Sequence, residues 1–142
     1  MSEKMILEIV SSTGEIEKAR IKDLYMPAYL GQAGILHDHL PYISILKFGD
    51  ISYTDLNNKK HYLFIYDGIV EVINNKITLI SDSIEKGEDF DRKEVELKLK
   101  EVERRIQSSF KGEITPEELD EALEEKKKLK IKLNICKKSK NY

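Results

Sequence analysis

The sequence lacks the features that mark most enzymes and membrane proteins. It holds one cysteine, Cys136, in 142 residues. No disulfide can form within the chain, and that usage fits a reducing compartment. No apolar run approaches the roughly 20 residues needed to span a bilayer. The N-terminus has no basic segment followed by a sustained apolar one, so no signal peptide is expected. Charge of one sign is not in excess. The 24 Lys and Arg against 26 Asp and Glu leave a net charge of −2, which argues against binding nucleic acid through phosphate neutralisation. Catalytic signatures are missing too. There is no Gly-Lys-Ser/Thr phosphate loop, no Gly-x-Gly-x-x-Gly, no Gly-x-Ser-x-Gly and no cysteine pair. The expectation is a soluble protein that meets a membrane only through partners.

Two regions with different periodicity are present. Residues 1–85 read as strands. Met5 to Val10, Ile43 to Leu46, Tyr62 to Tyr66, Ile69 to Ile73 and Ile77 to Ile80 are short and rich in β-branched and aromatic residues. Asn57-Asn58, Asp67-Gly68 and Asn74-Asn75 have the composition of two-residue hairpin turns with positive φ. Many short strands joined by tight turns predict a β-sandwich or barrel.

Residues 86–142 change to a period of 3.6. Asp91 with Glu94 forms a candidate capping box. Val95, Leu99, Val102 and Ile106 then fall on one helical stripe. Gly112 ends that helix. Thr115-Pro116-Glu117-Glu118 starts a second one, with Thr115 as cap and Pro116 in the first helical position. Leu119, Ala122, Leu123, Leu129 and Leu133 give it an apolar face. The expected fold class is α+β, with an N-terminal antiparallel β-sandwich followed by a C-terminal two-helix hairpin, each helix about 30 Å long.

The second helix sorts its charge. Residues 113–125 hold seven acids and no base, and residues 126–140 hold eight lysines and no acid. The helix dipole favours this arrangement only within the terminal turns. The middle of the helix needs pairs such as Glu124 with Lys128 or an acidic partner.

Gly31-Gln32-Ala33-Gly34-Ile35-Leu36-His37-Asp38-His39-Leu40-Pro41 is a run of strand and tight corner. Each glycine there is a candidate for backbone that a side chain would forbid. His37 and His39 would share a face if extended, but two imidazoles are too few for a structural zinc. A structural or interface role fits them better. Cys136 lies in a lysine-rich turn, without a histidine motif to make it a nucleophile.

Several motifs in order carry a family resemblance. They are Ile9-Val10-Ser11 ending the first strand, Gly31 to Ile35, His39-Leu40-Pro41, Lys47-Phe48-Gly49-Asp50-Ile51, Asp67-Gly68-Ile69-Val70-Glu71-Val72 and Leu79 to Asp82, followed by two charged helices. In this order the chain resembles the epsilon subunit of bacterial F-type ATP synthases, equivalent to the mitochondrial delta subunit. His37 and Asp38 depart from the usual proline before the histidine, and Phe48 replaces another.

The resemblance implies a non-catalytic rotor subunit with no cofactor, at the cytoplasmic face of the cell membrane. It would link the gamma subunit to the c-ring below the alpha/beta catalytic head. Val10, Ser11 and His39 would face gamma. Gly31, Gln32 and Gly34 would meet the c-ring, with Gln32 standing where some members carry an acid. The helical hairpin would oppose ATP hydrolysis, with Lys126, Lys127, Lys128, Lys130 and Lys132 meeting an acidic loop of the catalytic beta subunit. Some members bind ATP through an Asp-x-x-Arg motif. Here Glu85 and Asp91 remain but the arginine is Glu94, so weak or no ATP binding is expected. The alternatives are an ATP-sensing switch of the same complex and a free-standing interaction module.

Overall fold

The computed structural model describes residues 4–139. Nine strands come first: β1 (Met5–Ser11), β2 (Gly14–Ala28), β3 (Gly31–Leu36), β4 (Tyr42–Leu46), β5 (Gly49–Asp55), β6 (Lys60–Ile65), β7 (Gly68–Ile73), β8 (Lys76–Ile80) and β9 (Ile84–Lys86). Two helices follow, α1 (Arg92–Ser108) and α2 (Pro116–Ser139). The chain divides into two compact units, one ending at Lys86 and one starting at Gly87.

Hydrogen bonding follows the path β1-β8-β7-β4-β2-β5-β6-β9, with β3 on β2 and β1 also on β2. The pairings are antiparallel apart from β1 with β8. The long β2 belongs to both layers of the sandwich. Its first half pairs with β1, and its second half pairs with β3 and β5. One layer is β4-β7-β8-β1 and the other is β3-β2-β5-β6-β9. The core between them takes alternate side chains from each strand, among them Leu7, Ile9, Ile21, Leu24, Ile35, Ile51, Leu63, Val70, Ile77 and Leu79. This is the two-layer solution expected when each sheet buries one face.

Turn chemistry matches the sequence at one place and departs from it at two. Asn74 and Asn75 both have positive φ, 51° and 63°, and close the β7–β8 hairpin. At the β5–β6 turn only Asn58 does, at 65°. There the Asp55 carboxylate accepts from the Asn57 and Lys59 amides at 2.8 and 3.0 Å, so the turn is longer than two residues. Asp67-Gly68 is no hairpin. It joins β6 to β7, which have different neighbours and do not pair. Gly68 is required there by close approach: a Cβ would lie 2.7 Å from the Ile80 carbonyl oxygen.

Two carboxylates tie loops to the sandwich. Asp82 accepts from the Ser12 amide at 2.7 Å, and this bond holds its pKa below the usual carboxylate value. Asp55 is lowered as well, first by the His61 ring at 2.9 Å and then by the Lys59 amide. A depressed acid contributes stability that is present above its unfolded pKa and lost as pH falls through its folded one. Urea stability should therefore drop as the pH passes below the ordinary aspartate value of 3.8. Asp82→Asn should make that acid limb shallower, and an unchanged slope would contradict the assignment.

In the second unit Asp91 caps α1 by accepting from the Lys93 amide at 3.0 Å. Glu94 turns to Lys98 at 3.0 Å instead of completing the box. Val95 and Val102 are buried, with Leu99 and Ile106 half-buried beside them. Ser109–Lys111 forms a 3-10 turn and Gly112, at φ 72°, ends it in the left-handed region. Thr115 accepts from the Glu118 amide at 3.1 Å and starts α2. Ala122, Leu129, Ile135 and Cys136 are buried on α2, whereas Leu123, expected inside, is 42% exposed. It lies a quarter-turn from Ala122, off the buried seam. At 1.5 Å per residue α1 is about 26 Å long and α2 about 36 Å.

Candidate protein-docking site

The outer face of the β4-β7-β8-β1 layer is unusually apolar. Register places Ile45 opposite Ile69, Ile69 opposite Ile80, and Ile80 opposite Val10. These four side chains form one row across four strands, about 14 Å wide at 4.8 Å per strand. Ile45 is 61% exposed, Ile69 43% and Ile80 47%. The next row is Ile43, Glu71, Thr78 and Glu8, and the last holds Ile73, Lys76 and Ile6. Ile43, Ile73 and Ile6 are exposed as well. Single exposed aliphatics are ordinary, but a contiguous set marks an interface. Its charges are held close to the face. Glu8 lies 3.6 Å from Lys76, and its pKa is lowered by a hydrogen bond with Glu15 and then by Lys76.

The parity of β4 explains why the sequence did not reveal this face. Leu46 points inward, and so does half-buried Ser44, which puts Ile43 and Ile45 outside. The Ile43-Ser44-Ile45 alternation on its own suggests that the isoleucines face inward and Ser44 outward, the reverse of the observed parity.

Of the expected gamma-facing residues, Val10 belongs to the aliphatic row. The Ser11 hydroxyl contacts Thr13 Oγ1 at 2.8 Å and donates to the Gly14 carbonyl at 3.2 Å in the β1–β2 turn. His39 lies towards the other end of the face. Its Nδ1 is 2.7 Å from the Leu40 carbonyl, and its ring meets Tyr42 edge-on. The loop carrying it is a turn in which Asp38 has φ 64°, so His37 and His39 do not share the strand face the sequence implied. Among the described residues, no three His, Cys, Asp or Glu side chains converge on a metal position.

Gly31, Gln32 and Gly34 lie on β3, a strand paired only with β2 among the described residues. Tyr25 covers Gly34 so closely that a Cβ would meet its ring at 2.8 Å. Gln32 lines a cleft of about 240 Å³ with Pro27, Lys47, Phe48 and Asp50. Beside it Lys47 sits 5.2 Å over the Tyr29 ring, and Leu30 at the hairpin tip is 95% exposed.

The lysine block of α2 is partly neutralised within its own unit. Lys126 is 3.5 Å from Glu103, Lys128 is 3.1 Å from Glu124, and Lys132 lies 5.8 Å over the Phe90 ring. Arg105 on α1 reaches Glu125 at 3.7 Å. Lys127 and Lys130 are exposed and have no ion pair among the described residues. With Lys137 they share one helix face. The ATP-motif positions have structural partners: Glu85 accepts from the Tyr66 hydroxyl at 2.9 Å, Asp91 is the α1 cap and Glu94 pairs with Lys98. Among the described residues no helix is long and apolar enough to cross a membrane.

The chain joins a β-sandwich with an apolar outer face to a charged helical hairpin. Comparison with known proteins gives its kind. The model of the family described as "ATP synthase, Delta/Epsilon chain, beta-sandwich domain" matches residues 4–87. The ATP synthase epsilon chain of Desulfosudis oleivorans is 32% identical over 108 residues, covering 76% of this chain and 81% of that protein. The epsilon chain of Nitratidesulfovibrio vulgaris is 34% identical over 91 residues, covering 64% and 67%. A chain of the Euglena gracilis mitochondrial ATP synthase, solved with OSCP, F1 and c-ring, superposes with a TM-score of 0.71 at 16% identity, over 96% of this chain and 79% of that one. A chain of the Tetrahymena thermophila central stalk and c-ring gives 0.56 at 17%, over 95% and 98%. The two structures show the shared fold. The protein belongs to the delta/epsilon family of ATP synthase subunits.

Proposed function

We propose that this chain couples rotation in an F-type ATP synthase as its epsilon subunit, joining gamma to the c-ring without catalytic residues of its own. The observation that carries the reading is the aliphatic Ile45–Ile69–Ile80–Val10 row on the outer face. Torque has to pass through a surface that does not deform, and a sheet face backed by a close-packed core meets that need. In this reading gamma covers the aliphatic face, including Val10 and the His39 loop, with Ser11 at its margin. The end of the sandwich carrying Gly31, Gln32 and Gly34 meets the c-ring, where Leu30 and the Gln32 cleft supply apolar and polar contacts. The subunit then sits at the cytoplasmic face of the membrane, held there by the complex.

The hairpin opposes ATP hydrolysis in the same proposal. Pairing of Lys126 and Lys128 and packing of Lys132 reduce the cationic surface offered to an acidic loop of the catalytic beta subunit to Lys127 and Lys130. ATP sensing is the weaker alternative, because Asp91 caps a helix and Glu94 would repel phosphate. ATP hydrolysis by the catalytic head, reconstituted with the full chain or with one truncated after Glu88, tests the hairpin's role. Faster hydrolysis with the truncated form, and with Lys127→Gln/Lys130→Gln in the full chain, is expected. Equal rates with every form bound would contradict it.

A further inference from the structure

The loop that carries His39 is fastened by one residue of the β7–β8 turn, Asn75. Asn75 Oδ1 accepts from the Asp38 amide at 2.7 Å, and Asn75 Nδ2 donates to Asp38 Oδ1 at 3.1 Å. The two bonds form a reciprocal clasp across 37 residues of sequence. The other carboxylate oxygen of Asp38 lies 3.2 Å from His37 Nδ1. The backbone carbonyl of Asn75 accepts from the Ile6 amide at 2.9 Å. One residue in the β7–β8 turn therefore ties the start of β1 and the loop before β4 to a single point.

Both clasp residues have left-handed backbone, with φ of 64° and 63°. Asn and Asp tolerate that conformation better than other side chains. Besides the clasp, a hydrogen bond from the His39 amide to the Leu36 carbonyl closes the turn locally at 3.1 Å. That bond shapes the loop but does not fix it against the sheet. Without the clasp His39 and its 78%-exposed neighbour Leu40 would lose this side-chain anchor to the β7–β8 turn, at the Ile73 and Ile6 end of the face.

We infer that Asn75 is a positioning residue for docking: its clasp on Asp38 holds the His39–Leu40 loop in register with the aliphatic face, so that the partner meets one preformed surface. The inference rests on the reading that this face binds gamma. Holding a loop in its bound shape before contact removes an ordering cost from association.

The test is a charge swap in the full chain. Asn75→Asp sets two carboxylates against each other. Adding Asp38→Asn restores the side-chain hydrogen bond with donor and acceptor exchanged, while the backbone amide of residue 38 still donates to the side chain of residue 75. Asp38→Gly suits the left-handed backbone and removes the carboxylate without adding charge. Affinity for a catalytic head with gamma but without this subunit should fall about tenfold for Asn75→Asp and for Asp38→Gly, and recover in the double swap. NMR order parameters for the amides of residues 37–40, measured on the isolated chain, should fall and recover in parallel. Unchanged affinity in Asn75→Asp would overturn the inference, whether or not the loop loosens. Loss of affinity with an equally ordered loop would overturn it too. If the unaltered chain fails to bind the head, the docking reading falls. The order parameters then still decide whether the clasp holds the loop.

Discussion

Replacing Ile43 and Ile45 together by aspartate should weaken binding to the gamma-containing head by about 100-fold or more. The two residues are 70% and 61% exposed on the β4 strand, so neither contributes much to the core. Aspartate disfavours strands by up to about 1 kcal/mol. Two such replacements in a domain of this size lower Tm by roughly 8–16 °C. Docking asks much more of the same positions. A carboxylate within a desolvated face has to lose water without gaining a partner, and a short side chain cannot reach out to water as lysine does. Two such groups outweigh the stability loss, so affinity and Tm should separate. Titration calorimetry beside thermal unfolding measures both. A variant that binds as tightly as the unaltered chain would remove the aliphatic face from the gamma interface.

Gly68→Ala should destabilise the sandwich by about 2–3 kcal/mol. The added methyl would meet the Ile80 carbonyl oxygen at 2.7 Å, Ile65 Cδ1 at 2.9 Å and Ser81 Cβ at 3.2 Å. Ile65 is fully buried, and the Ile80 carbonyl is backbone on the paired strand, so neither has room to yield. Alanine also restricts the unfolded chain, a gain of only about 0.4–1 kcal/mol, which does not offset the clash. Tm should fall by roughly 8–20 °C. Because Ile80 belongs to the docking row, gamma affinity should fall as well. An unchanged Tm would show that the β7–β8 pair can part at no cost. Gly34 is a useful contrast. Its crowding neighbour is the ring of Tyr25, itself 38% exposed and able to swing outward, so Gly34→Ala should be mild.

The sequence made the element types readable where one period dominated. The α1 stripe, the Thr115 start and the Asn74-Asn75 turn were legible because each depends on residues close together. The long β2 was not, for two reasons. Its outward positions carry Glu15, Lys18, Arg20 and Lys22, which mask strand character. A register shift between Ile21 and Asp23 also breaks the alternation, so Ile21 and Leu24 point inward at odd spacing. Asp67-Gly68 had hairpin composition, yet the glycine answers to a carbonyl on β8, a contact that local composition does not encode. The candidate site divides in the same way. Val10 and the glycine run were marked by motif. The aliphatic row depends on the register of four strands, and only the fold supplies it. The Lys block showed its charge in sequence, while the partners that neutralise Lys126 and Lys128 needed the helix pair.

Backbone hydrogen exchange on the full chain, with and without the gamma-containing head, shows which face of the sandwich gamma covers. New protection is expected on β4, on the β7–β8 hairpin and on the loop carrying His39, with the β5–β6 turn at Asn57 and Asn58 unchanged. Protection confined to the β5–β6 side, with β4 and the β7–β8 hairpin exchanging as in the isolated chain, would contradict docking on the aliphatic face.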